Sequence, residues 1–61
     1  MNLYEKIKDL CTAQGLTIAE VERNAGVSNG VIDDWKTSSP RVSTLQKVAE
    51  ALSVSIADLI G

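Results

Sequence analysis

The chain alternates short amphipathic stretches with small polar residues, and each stretch has the period of a helix. Leu3, Ile7 and Leu10 recur at helical spacing, as do Ile18, Val21 and Ala25. Further on come Leu45, Val48, Ala49 and Leu52, then Ile56, Leu59 and Ile60. Apolar residues three and four apart line one face of a helix, so each group predicts a stripe turned to a common core. A start signal precedes each group. Asn2 with Glu5, Thr17 with Glu20, Ser43 with Gln46, and Ser55 with Asp58 have the spacing of a capping box. In that motif a small polar side chain accepts the backbone N–H three residues on, and the later side chain reaches back.

Between the second and third groups, Ser28 offers another N-cap, with Ile32 and Trp35 spaced three apart behind it. Gly15 and Gly26 stand where a helix end favours a left-handed residue, and Pro40 breaks the chain before the next helix. The pattern predicts five helices, near 2–14, 18–25, 29–36, 44–52 and 56–60, with connections short enough to force a compact all-α bundle. Strand signals are almost absent, and no low-complexity segment, linker or repeat is apparent. Sixty-one residues make one domain, spanning 1–61.

Composition narrows the function classes. There is no histidine and a single cysteine, Cys11, so an internal disulfide cannot form and a zinc site is not expected. The usual general bases and thiol nucleophiles are missing, and so small a chain does not wall off a dry pocket; it does not read as an enzyme. No apolar run approaches the roughly 20 residues that span a bilayer, and the first residues lack a signal peptide's apolar stretch. A cytoplasmic protein with a reduced thiol is the expectation, with no cofactor, small-molecule ligand or membrane partner. The net charge of −2 sits awkwardly with nucleic acid, whose partners are usually basic.

The segment from Thr17 to Lys36 carries the functional signal. It reads as a helix, a turn opened by Gly26, and a second short helix. A glycine there lets the chain turn sharply, so the two helices cross at a wide angle. Val21 and Ala25 then pack on Val27, Ile32 and Trp35, leaving Asn29, Gly30, Asp33 and Asp34 facing outward. The Ser28 N-cap has Val31 rather than an acid at the third helical position, an omission that suits a helix end approaching phosphates.

Ala25-Gly26-Val27-Ser28, followed by Ile32 and Trp35, and the tail from Leu45 through Leu52-Ser53-Val54 resemble the Cro/C1-type helix-turn-helix family of phage and bacterial repressors. The resemblance covers residues 3–60, and Ser28-Asn29-Gly30 with Trp35 and Ser38-Ser39-Pro40 is similar to a branch common in Gram-positive phages and their hosts. It implies a sequence-specific regulator, a repressor in character, that binds a palindromic site in double-stranded DNA as a homodimer. Half-sites would then lie about 34 Å apart.

The family's roles map onto Thr17, whose helix N-terminus would meet a phosphate, and onto Ser28, Asn29 and Gly30 at the start of the recognition helix. Asp33 and Asp34 take the remaining base-facing positions, and Val31 is placed to touch a thymine methyl. Lys36, Thr37, Ser38, Ser39, Arg41 and Ser43 would line the loop that grips the backbone.

Three positions depart from the family pattern. Ile18 stands where many members carry a glutamine, Glu22 replaces a small inward residue, and Asp33 and Asp34 set two carboxylates near phosphates. Either aspartate can accept from a cytosine amino group. The same acids support a rival expectation, a protein-binding antirepressor, antitoxin or DNA mimic that keeps the fold. A redesigned scaffold without a partner is a further rival, opposed by the polar loop from Lys36 to Arg41.

Plainer roles stand beside these. Trp35 is expected in the core rather than on a base, and Cys11 as a small filler. Lys6 and Lys8 alternate with Glu5 and Asp9 as a solvated face. Asn29 suits a turn as well as a base, and Arg41 a surface ion pair as well as a phosphate. Ile56 and Ile60 either close the last helix over the core or form a dimer seam. An end at Gly61 suits a minimal Cro-like protein or the N-terminal part of a longer repressor.

Overall fold

In the computed structural model, which describes residues 2–60, five helices follow one another: α1 (Leu3–Gln14), α2 (Ile18–Ala25), α3 (Val31–Asp34), α4 (Val42–Ala51) and α5 (Ile56–Ile60). Met1 and Gly61, the ends of the expected domain, lie outside the described residues. The expected all-α architecture of five helices is the observed one, and no strand occurs among the described residues.

Local capping fixes three of the starts. The Asn2 side chain accepts from the Glu5 amide at 2.8 Å. Thr17 and Glu20 form a complete capping box, each side chain accepting from the other's backbone N–H at 3.1 Å. Ser55 and Asp58 do the same at 3.1 and 3.2 Å. At the end of α2, Gly26 has φ +73° and ψ +27°. In that conformation its N–H reaches the Arg23 carbonyl, and the Val27 N–H reaches that of Glu22 at 3.1 Å. Glycine takes up this left-handed bend without the Cβ clash that other residues meet.

Two helices begin elsewhere than the cap signals suggest. α4 starts at Val42, with extended Arg41 as N-cap and no side-chain cap bond. Ser43 is therefore not the cap: the Leu45 N–H is taken by the Arg41 carbonyl at 2.9 Å, so Ser43 already lies inside the first turn. α3 is four residues long, not eight, and its N-cap is Gly30 rather than Ser28. The Val31 N–H bonds the Ser28 carbonyl at 3.2 Å, closing a turn with Asn29-Gly30 at its centre. Gly30, at φ +93° and ψ −5°, has the conformation that the third position of such a turn favours. Beyond Asp34 the winding continues more tightly, through amide bonds from Trp35, Lys36 and Thr37 to the carbonyls three residues back.

The core joins Ile7 and Cys11 of α1, Val21 of α2, Ile32 and Trp35, Leu45, Val48, Ala49 and Leu52 at α4, and Leu59 of α5. α2 and α4 form the main packed pair, α1 and α5 close over them, and α3 touches α2. The Gln14 amide donates to the Leu52 carbonyl at 2.7 Å, tying the ends of α1 and α4. Trp35 is 6% exposed, as core packing requires. In α5, Leu59 points in, Ile56 is half-buried against the core, and Ile60 is left 68% exposed.

Candidate nucleic-acid interface

α2, the turn after it and α3 present one continuous outer surface. Ile32 and Trp35 point inward, so Ser28, Asn29, Gly30, Asp33 and Asp34 all fall on the exposed side. Val31 is half-buried and packs partly against the core. Ser28, Asn29 and Gly30 are gathered in the turn ahead of α3 rather than in its first turn.

The start of α3 is closed by a group from α2. Glu22 is 3% exposed, and both its carboxylate oxygens accept from the Gly30 N–H at 3.1 Å. One of them also accepts from the Ile32 N–H at 3.0 Å. Val31 therefore does not leave this helix end free of acid: a carboxylate is present, supplied from eight to ten residues upstream. It satisfies amides that a helix start would otherwise leave without partners.

Beyond α3 the loop is held by its own side chains. The Ser38 hydroxyl donates to the Asp34 carbonyl at 2.9 Å, and the Ser38 N–H reaches the same oxygen at 3.0 Å. Thr37, Ser39, Arg41 and Ser43 are exposed around it. Arg41 makes no ion pair among the described residues. Lys36 is engaged: its Nζ lies 2.8 Å from Asp33 Oδ1 and 4.6 Å from the centroid of the Tyr4 ring. The Asp33 hydrogen bond, with the charges of Asp33 and Tyr4 behind it, holds the Lys36 pKa above its usual 10.5.

At the N-terminus of α2, the Thr17 hydroxyl and backbone N–H are both taken up by Glu20. A phosphate approaching there meets the Glu20 carboxylate as well as the helix end. Ile18 is half-buried and packs against the core.

Of the charged residues on this side, Arg23, Lys36, Arg41, Asp33 and Asp34 are exposed, Glu20 is half-buried in its capping box, and the Glu22 carboxylate is turned inward. Arg23 and Asn29 share the mouth of a hollow of about 400 Å³ that Ala19, Glu22 and Val27 complete. Sequence reasoning passed over Arg23 and Tyr4 and took Glu22 only as a departure. Arg23 had one available signal, its place in the last turn of α2 beside the glycine turn.

A model of the helix-turn-helix family matches residues 7–59, nearly the whole chain. No curated protein matches it. In the fold, Ile18–Ala25 and Val31–Asp34 are the two helices of that motif, joined through the Gly26 bend and the Asn29-Gly30 turn. The chain belongs to the Cro/C1-type helix-turn-helix family of DNA-binding regulators.

Proposed function

We propose that this domain reads a specific DNA sequence through the turn and α3, and that it represses transcription by covering a promoter. The observation that carries the reading is the exposed row Ser28, Asn29 and Asp33, set on a surface whose opposite side is locked into the core by Ile32 and Trp35. In this fold that surface enters the major groove. Asn29 is the principal base-reading side chain, suited to adenine, while Asp33 and Asp34 suit cytosine amino groups. Gly30 lets the backbone approach, and Ser28 offers a hydroxyl at the groove edge. Thr17, Thr37, Ser38, Arg41 and Ser43 take the flanking phosphates, and Lys36 joins them only when its pair with Asp33 opens.

A single module of this size makes few contacts, so the active form is a homodimer on a palindromic site, working in the cytoplasm where bacterial DNA lies. The exposed Asp34 and the net charge of −2 favour one rival, a DNA-mimicking surface that docks on a basic protein.

Selection from random duplexes at low salt, repeated at higher salt, separates the two. Enrichment of a palindrome, with affinity falling as salt rises, is the expected result. A folded sample that retains no duplex at low salt refutes the DNA reading and leaves the protein-docking one.

A further inference from the structure

We propose that Glu22 is a positioning residue for DNA readout: its buried carboxylate sets the direction in which the recognition turn and α3 face the groove. This rests on the DNA-reading function above. α1, α2 and α5 are capped by side chains three residues from the amides they satisfy. α3 instead takes its cap from the neighbouring helix, with contacts of 3.0 to 3.1 Å to Gly30 and Ile32.

A four-residue helix has too few internal bonds to hold its own path. Its direction comes from what anchors it. Ile32 and Trp35 fix its depth in the core. The two-oxygen grip on Gly30 fixes the angle of the turn that carries Asn29. Glu22 is 3% exposed, so it acts through Asn29 and Asp33 rather than by touching DNA.

The test uses Glu22→Gln and Glu22→Ala, with the duplex selected by the unaltered protein and a scrambled control, at temperatures where circular dichroism shows each variant folded. Loss of alignment at one bidentate base contact lowers discrimination by roughly 5- to 150-fold. Affinity for the selected duplex is expected to fall by that range in the alanine variant and less in the glutamine variant, which keeps one acceptor oxygen. Affinity for the scrambled duplex and its salt dependence are expected to hold or rise slightly.

A purely structural role leaves the folded variants with an unchanged ratio of affinities for the two duplexes, whether both hold or both weaken together, and that result overturns the proposal. If the alanine variant does not fold, an unchanged ratio in the glutamine variant together with unchanged exchange of the Gly30 and Ile32 amides overturns it equally. Failure of the unaltered protein to enrich any duplex is a different outcome: it removes the DNA reading itself, and the positioning role with it.

Discussion

Replacing Asp33 by asparagine is expected to make DNA binding tighter and more salt-dependent. Lys36 is held by Asp33 at 2.8 Å, with the two side chains 49% and 64% exposed. Water screens such a pair, so it adds little to stability, yet while it holds Lys36 is partly neutralised and unavailable to a phosphate. Removing the carboxylate frees one cation beside the loop. Each phosphate contact adds about 0.9 to the slope of log affinity against log salt. Between about 50 and 200 mM salt, one added contact therefore costs the variant a further factor of about 3.5 in affinity. Fluorescence anisotropy with an unselected duplex across that range measures the slope directly.

Loss of a negative charge alone also favours DNA, so Asp34→Asn serves as the control. It removes the same charge, but Asp34 makes no ion pair among the described residues and its loss releases no cation. Equal slope changes in the two variants refute the restraint of Lys36. On the selected duplex a second effect is separable. If Asp33 accepts from a cytosine amino group, the asparagine variant loses preference at that base pair while gaining general affinity.

Two further outcomes follow from the fold. Burial pushes the Cys11 thiol above its usual 9.0, so the folded state keeps its proton where the unfolded chain has lost it. Stability is then intact below pH 9.0 and falls as pH rises from there through the higher folded value. Urea melts from neutral pH upward should show this fall, and Cys11→Ala should flatten it; parallel pH profiles assign the loss elsewhere. Thr17→Ala breaks the capping box of α2 and should cost about 1 kcal/mol in thermal or urea unfolding. Ser28→Ala should stay within about 0.5 kcal/mol, because its hydroxyl caps nothing; equal costs in the two variants contradict the observed start of α3.

The helices whose capping lies within their own sequence were readable in advance, and those capped otherwise were not. Thr17 and Glu20 state the start of α2 locally, and the structure uses both bonds. For α3, Ser28 looked like the cap, but the cap is Glu22, brought alongside only when the chain doubles back at Gly26. The Asn29-Gly30 pair was itself a turn signal competing with the helix, and the turn won. At α4 the extended Arg41 set the helix start ahead of Ser43. Trp35 was readable as core because its spacing from Ile32 is enough to put both on one face. The Tyr4–Lys36 contact was not, since 32 positions separate residues that only the packing of the bundle brings within 4.6 Å.

The acidic composition was the strongest point against DNA, and the structure shows how half of the carboxylates are engaged. Of the eight acidic residues, Glu20 and Asp58 accept backbone amides in capping boxes, Glu22 is buried on the amides of Gly30 and Ile32, and Asp33 is paired with Lys36. Four of the eight carboxylates are thus engaged within the fold, yet each keeps its charge, and the net −2 still acts on an approaching phosphate at long range. On the outer face of α3 the carboxylate without an ion-pair partner among the described residues is Asp34. A DNA reader must aim it at a hydrogen-bond donor on a base or turn it from the backbone, whereas a DNA mimic must keep it exposed. The two functions therefore make opposite demands on Asp34: its replacement by asparagine leaves or strengthens binding to unselected DNA in the first case, and weakens a basic partner in the second.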